Sequence, residues 1–151
     1  MSNYRILAAQ ARELLLSEPH YVPALSNLSA LLMDSLADLN WAGFYLMREG
    51  QLVVGPFQGK PACIHIAVGS GVCGTAVQED APQLVPDVHE FPGHIACDAA
   101  SASEVVIPLH AVGRIVGVLD MDSPKKGRFL QEDLEGLLLV TEEIEKYILW
   151  E

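Results

Sequence analysis

The hydrophobic pattern of the chain changes its period near residue 40, and this change limits the folds available to it. Before that point apolar residues recur at steps of three and four, in "LAAQARELLL" and again after Pro19, which predicts two amphipathic helices. Short apolar runs separated by turn residues follow, as is typical of strands. The order helix, helix, strands, short helix, strands, helix predicts an α+β fold.

The strand-like runs come in pairs joined by tight turns. "WAGFYLM" and "QLVVGPF" flank the turn "REG", while "EVVIPLH" and "RIVGVLDMDS" flank the turn "AVG". Because turns this short join antiparallel neighbours, we expect one antiparallel sheet backed by helices. "CIHIAV" and "QLVPDV" are further strand candidates, and "GSGVCGTAVQE" is a short helix. Loops on the other face of the sheet would then build any pocket.

Length and charge narrow the class of protein. A chain of 151 residues has the size of one domain, so we expect a single domain over residues 1–151. Its 20 acidic residues outnumber 9 basic ones, and the net charge of −11 disfavours nucleic acid and anionic membranes as partners. The sequence shows neither a secretory signal nor an apolar run of about 18 residues, which favours a cytoplasmic location with reduced cysteines.

The three cysteines admit three interpretations. A free cysteine is often a small buried hydrophobe, and Cys63 at the start of an apolar strand fits that best. Zinc is disfavoured, since the cysteines and nearby histidines lack the usual C-x-x-C or H-x-x-x-H spacing. A reactive thiol needs partial exposure and a lowered pKa. The helix dipole would lower the pKa of Cys73, whereas Cys97 lies in a loop beside Asp98, so spacing leaves the choice open.

Five stretches stand out when they are taken together: "NWAGFYL", "GPFQGKPAC", "GSGVCGTA", "VPDVHEFPGHIACDAASASEVVIPL" and "GVLDMDSP". As a set they resemble one enzyme family, the free methionine-(R)-sulfoxide reductases, which are single-domain proteins with a GAF fold. The resemblance spans residues 40–124, which would form the catalytic core between framing helices. It implies a GAF-like antiparallel sheet of about six strands with helices packed on one face, in agreement with the hydrophobic pattern.

The resemblance also implies the role of each cysteine. Cys97 in "GHIACD" matches the attacking cysteine, Cys63 in "PAC" the main resolving one, and Cys73 in "GVCG" a second sulfur that can relay. In this family a thiol takes the oxygen of free methionine sulfoxide as a sulfenic acid, and a second thiol condenses with it to a disulfide. Thioredoxin then reduces the disulfide by exchange. No cofactor and no metal are expected.

Three acidic residues, Glu104, Asp120 and Asp122, match positions that the family gathers around its ligand. Asp120 and Asp122 are two residues apart on a predicted strand, so they point to the same face. Such a cluster suits the ammonium group of a free amino acid and raises some of its own pKa values, which keeps a proton for the departing oxygen. The alternative is a set of exposed acids at a strand end.

The remaining pocket residues are aromatic or polar. Trp41 and Tyr45 are four apart on a predicted strand and share a face. They match aromatic positions of the family's pocket and would enclose the S-methyl group, although plain core aromatics would show the same spacing. The backbone of "GSGVCG" is the candidate for the substrate carboxylate, and His94 is a candidate proton carrier.

Two other functions are compatible with this fold. A non-catalytic GAF sensor would bind a small ligand without using thiols, and it usually needs an output domain. A cysteine redox sensor would form the disulfide as a signal. The apolar residues of the outer helices, residues 6–16 and 134–150, exceed what one sheet face can cover, which favours a homodimer.

Overall fold

The computed structural model describes residues 3–94 and 99–151, so the predictions for Cys97 and Asp98 lie outside the described residues. Among the described residues, no helix is both long and apolar enough to cross a membrane. A short 3-10 helix covers Val88–Glu90. The other elements, in chain order, are α1 (Tyr4–Ser17), α2 (Tyr21–Ser35), β1 (Trp41–Arg48), β2 (Gln51–Gly59), β3 (His65–Ile66), α3 (Gly71–Glu79), β4 (Gln83–Val85), β5 (Ser103–Ala111), β6 (Arg114–Ser123) and α4 (Gln131–Tyr147).

One antiparallel sheet contains six strands in the order β3-β2-β1-β6-β5-β4, which confirms the predicted α+β class. The β1–β2 hairpin turns at Glu49 and Gly50, with φ of 52° and 81°. The β5–β6 hairpin turns at Val112 and Gly113, with φ of 52° and 76°. Positive φ at both central residues suits the twist of a two-residue hairpin, so both predicted tight turns are confirmed.

The strands β1, β5 and β6 each contribute to two cores, because their side chains alternate between the faces of the sheet. β1 places Phe44 and Leu46 in the core shared with α1, α2 and α4. The same strand places Trp41 and Tyr45 in a second core shared with α3. We call these the helix face and the pocket face. The long helices therefore cover one face, as predicted, while α3 lies among the loops on the other.

The segment "CIHIAV" is less regular than predicted. Only His65–Ile66 forms a strand, at the edge of the sheet, where it pairs with Leu52 and Val53 of β2. The chain then turns towards α3, which begins at Gly71. The expectation that Cys63 begins an apolar strand is therefore wrong, since this cysteine lies in the loop between β2 and β3.

Candidate active site

Three strands bring two acids and an aromatic ring into one row on the pocket face. Glu104 of β5 lies opposite Asp122 of β6, and Asp122 lies opposite Trp41 of β1. Asp120 shares the face of Asp122, and its register partners are Val106 and Gly43. The predicted acidic trio and Trp41 therefore meet at neighbouring positions of the sheet.

The three acids Glu104, Asp120 and Asp122 are buried to different extents. Glu104 is 7% exposed and Asp120 5% exposed, so the alternative of solvent-facing acids is wrong for both, whereas Asp122 is half-buried. Burial raises the pKa of Glu104, and the charges of Asp120 and Asp122 raise it further. Burial also raises the pKa of Asp120, against hydrogen bonds to Glu104 and Cys73 that lower it. The predicted rise in carboxyl pKa is confirmed for these two acids.

Asp120 has an unsatisfied oxygen. Its Oδ1 is buried, and within the described part of the chain it has no hydrogen-bond partner. Such an atom loses its hydration on folding without replacing it, at a cost of about 1–3 kcal/mol, more if charged. Because Asp120 lines the pocket, this oxygen is a candidate contact for a cationic ligand.

Cys73 occupies the third position of α3 and is 4% exposed. Burial raises the pKa of its thiol well above the usual value, and the charges of Asp120, Glu104 and Asp122 raise it further. The predicted lowering by the helix dipole is therefore wrong. A helix N-terminus contributes only partial charge, whereas full desolvation and three nearby carboxyl groups both oppose the thiolate.

Trp41 and Tyr45 serve both as core residues and as pocket wall. Each is 3% exposed, and both line the pocket. Their ring centroids are 5.8 Å apart, and Phe57 stacks on Trp41 with centroids 5.0 Å apart. Phe57 was not among the predicted pocket residues, although it stands within the motif "GPFQGKPAC".

The polar atoms of these two rings hold the loop that carries Cys63. Trp41 Nε1 donates a hydrogen bond to the Lys60 carbonyl at 3.2 Å, and the Tyr45 hydroxyl donates one to the Cys63 carbonyl at 3.0 Å. Gly59, the last residue of β2, leads into this loop with a φ of 139°, and a Cβ there would lie 2.6 Å from the Trp41 ring. The aromatic pair and a required glycine therefore fix the path of this loop.

These residues enclose an open pocket with about 560 Å³ of empty space, including its mouth. Ser70–Cys73, the start of α3, lies in its wall, and Ser70 makes no side-chain capping bond there. Four further residues line the pocket that no local sequence pattern indicated and that only tertiary contact identifies, namely Pro61, Ala62, Ile66 and Ser101.

His94 also lines the pocket and is half-buried. Burial lowers its pKa, and the nearby His89 lowers it further. His94 is therefore placed to exchange a proton in its neutral form, which keeps it a candidate proton carrier.

The described cysteines differ in their redox state. Cys63 takes part in a disulfide, whereas Cys73 is a free, buried thiol. Of the cysteines predicted to take part in thiol chemistry, Cys63 thus lies in the loop held by Trp41 and Tyr45, and Cys73 lies in the wall of the pocket.

Comparisons with known proteins place the chain among relatives with this architecture. The sequence profile of the GAF domain matches residues 24–148. The chain is 51% identical over 145 residues to the free methionine-R-sulfoxide reductase of Escherichia coli strain K12, which covers 96% of this chain and 88% of that protein. The match to the structure of fRMsr of Staphylococcus aureus in reduced form has a TM-score of 0.95 and 51% identity, covering 99% and 97% of the two chains.

The same Staphylococcus aureus protein in complex with substrate matches with a TM-score of 0.93 and 50% identity, again covering 99% and 97%. Because the match covers 99% of this chain, the aligned part includes every strand that lines the pocket.

Proposed function

The chain belongs to the GAF-domain family of free methionine-R-sulfoxide reductases, and from this premise we propose that it reduces free L-methionine (R)-S-oxide to methionine. Cys97 is the nucleophile, Cys63 the main resolving cysteine and Cys73 a second sulfur that can relay. Thioredoxin recycles the enzyme.

One observation carries the proposal: a pocket that combines buried acids with an aromatic wall beside thiol-bearing segments. Free methionine sulfoxide has an ammonium group, a carboxylate, a polar S=O and an S-methyl group. The ammonium lies among Glu104, Asp120 and Asp122, where carboxylate charge offsets its own. The S-methyl lies against Trp41 and Tyr45, whose rings supply apolar area.

The substrate carboxylate lies at the start of α3. Backbone N–H groups in the first turn of a helix point outward and attract anions. Ser70 leaves these groups without a side-chain cap, which supports the assignment. A peptide-bound methionine sulfoxide has neither free charge at its backbone, so a pocket that recognises both charged groups would reject it.

The reaction transfers one oxygen atom between sulfurs. Cys97 attacks the substrate sulfur as a thiolate. The S=O bond of the substrate breaks, the oxygen passes to Cys97 with one proton from the acid that polarises it to give a sulfenic acid, and methionine leaves. The Cys63 thiol then condenses with the sulfenic acid, giving a disulfide and one water. Thioredoxin donates two electrons and two protons to restore both thiols. Glu104, whose pKa is raised by burial, or Asp122 donates the hydrogen bond that polarises the S=O.

The states of the described cysteines support this division of roles. Cys63 is oxidised to a disulfide, while Cys73 remains a buried thiol. A buried thiol with a raised pKa is a poor attacking group, which fits Cys73 as a reserve sulfur.

A coupled assay tests the proposal. With thioredoxin, thioredoxin reductase and NADPH, the protein should consume NADPH with the R epimer of free methionine sulfoxide and leave the S epimer untouched. NADPH consumption with neither epimer would contradict the activity and favour a GAF ligand sensor.

A single-turnover experiment tests the cysteine roles separately. Without reductant, the wild-type and Cys63→Ser proteins should each release at least one equivalent of methionine, and Cys97→Ser should release none. One equivalent released by Cys97→Ser would remove Cys97 from the role of nucleophile.

We further propose that the enzyme is a cytoplasmic single-domain homodimer. Ile6 and Leu16 of α1 are 56% and 57% exposed, and a second copy covering them would bury apolar surface. Light scattering during gel filtration should give twice the monomer mass, and a monomer at micromolar concentration would contradict the dimer.

A further inference from the structure

Three possible metal ligands of different chemistry converge on the wall of the pocket. The Sγ of Cys73 and one carboxylate oxygen each from Glu104 and Asp120 all lie within 4.8 Å of one another. They come from α3, β5 and β6, so the tertiary structure alone brings them together. All three residues are buried and line the same open pocket, which gives an ion a route from solvent.

A second observation at the same place points to a cationic ligand. The Oδ1 atom of Asp120 is buried without a hydrogen-bond partner in the described part of the chain, although Asp120 is only 5% exposed. A buried unpaired carboxylate oxygen requires an explanation, and an ion is one of the few that satisfies it.

We propose that the reduced protein binds one Zn²⁺ ion through Cys73, Glu104 and Asp120, with a fourth position open to the pocket. Zinc sites with three protein ligands and an open position are common where a small molecule also binds. The ion lies where the proposed function puts the substrate ammonium, so Zn²⁺ inhibits reduction competitively; this consequence alone rests on the proposed function.

The geometry suits a small tetrahedral ion. Usual bond lengths of about 2.3 Å to sulfur and 2.0–2.2 Å to oxygen hold the ligand atoms roughly 3.5 Å apart. Because the three atoms already lie within 4.8 Å of one another, small side-chain rotations close the site. The donor set also selects the ion: Ca²⁺ and Mg²⁺ take oxygen ligands, whereas a thiolate with carboxylates suits Zn²⁺.

Binding exchanges protons for the ion. The Cys73 thiol loses its proton to become a ligand, as does whichever of the two carboxyl groups is protonated, and these protons pass to solvent. The +2 charge of the ion then offsets three anionic ligands in a buried place. Affinity should therefore rise with pH, and calorimetry in buffers of different ionisation heat should register the released protons.

The test uses the full-length reduced protein with Zn²⁺ and with Co²⁺, which occupies the same kind of site and absorbs light. The wild type should bind one equivalent of Zn²⁺ in competition with a chromophoric chelator. Its Co²⁺ form should show a thiolate-to-cobalt charge-transfer band. Cys73→Ser should abolish that band and weaken Zn²⁺ binding by more than about tenfold, since even groups that only support a ligand contribute that much.

Cys63→Ser is the matched control, because it removes a thiol outside the cluster and should leave the band and the affinity unchanged. A band that persists in Cys73→Ser, or a wild type without one, overturns the proposal. Should Cys73→Ser fail to fold by circular dichroism, Asp120→Asn decides: unchanged Zn²⁺ affinity in that variant equally overturns it. These measurements need neither sulfoxide nor thioredoxin, so failure of the proposed enzyme activity would leave their result intact.

Discussion

The two faces of the sheet carry opposite kinds of core. On the helix face, Phe44, Leu119 and Met121 are almost fully buried among apolar side chains of the long helices. On the pocket face, Glu104 and Asp120 are nearly as buried, but as acids with raised pKa. Since adjacent residues of a strand point to opposite faces, Leu119 and Asp120 are chain neighbours that belong to different cores. Side chains that stabilise the fold and side chains that line the pocket therefore alternate along the same strand.

Truncation on the helix face should give the largest effect on stability. Leu119→Ala leaves a cavity in a closed apolar core, which costs about 2–5 kcal/mol of the free energy of unfolding. The remaining folded protein should keep its kcat/KM for the R epimer, because the side chain does not face the pocket. Urea unfolding and steady-state kinetics measure the two quantities. A selective loss of kcat/KM in a fully folded variant would mean that the two faces are coupled.

Neutralising an acid on the pocket face should give the converse result. Glu104→Gln removes an acid that can supply a proton beside the ligand, so kcat/KM should fall by about 100-fold or more. Stability should hold or rise slightly, because a buried acid is removed from beside Asp120 and Asp122. The exposed Glu142 of α4 provides the control, and Glu142→Gln should change neither quantity. Unchanged kcat/KM in Glu104→Gln would move the substrate site elsewhere.

Two tyrosine substitutions compare the loss of one hydrogen bond on each face of the sheet. Tyr45→Phe removes the bond to the Cys63 carbonyl, and Tyr4→Phe removes a bond of 2.6 Å to Asp133 on the helix side. Each should cost about 1 kcal/mol of stability. Only Tyr45→Phe should slow disulfide formation after methionine release, as measured by thiol titration in a single turnover. Equal rates in both variants would show that the Tyr45 bond does not position Cys63.

The smallest predicted effect concerns His110, which joins the two faces. Its Nε2 lies 2.6 Å from Oδ1 of Asp80, the C-terminal cap of α3, and its Nδ1 lies 3.0 Å from Oε2 of Glu145 in α4. The hydrogen bond to Asp80 is the main cause of the raised pKa of His110. The hydrogen bond to Glu145 raises this pKa further, whereas partial burial lowers it. A neutral imidazole has one N–H group and can donate to only one of these carboxylates.

The stabilisation from His110 should therefore be complete below the unfolded-state pKa of about 6.5. It should be lost as the pH rises through the raised pKa of the folded state. His110→Gln should lower stability at pH 5.5, where the contribution of an exposed pair is about 0.2–1 kcal/mol, and have little effect at pH 9. Thermal unfolding at both pH values measures this, and a loss of equal size at both would exclude the charged form as the cause.

Local patterns predicted much of this molecule. The change of period near residue 40 predicted the α+β fold, and "REG" and "AVG" predicted the two tight turns, because both signals depend only on neighbouring residues. The two-residue spacing of Asp120 and Asp122 likewise predicted their common face. The prediction for Cys73 was wrong because the helix start is local, whereas burial and the carboxyl groups of β5 and β6 come from distant parts of the chain.

The sequence alone determined which side chains alternate, where the chain turns and which cysteines and acids are available, since backbone geometry sets these features over a few residues. Only the tertiary structure decided that Glu104, Asp120 and Cys73 are buried together and that Trp41 and Tyr45 hold the loop of Cys63. The reason is physical: desolvation and charge interactions depend on distance in space, and the order of strands in the sheet sets that distance.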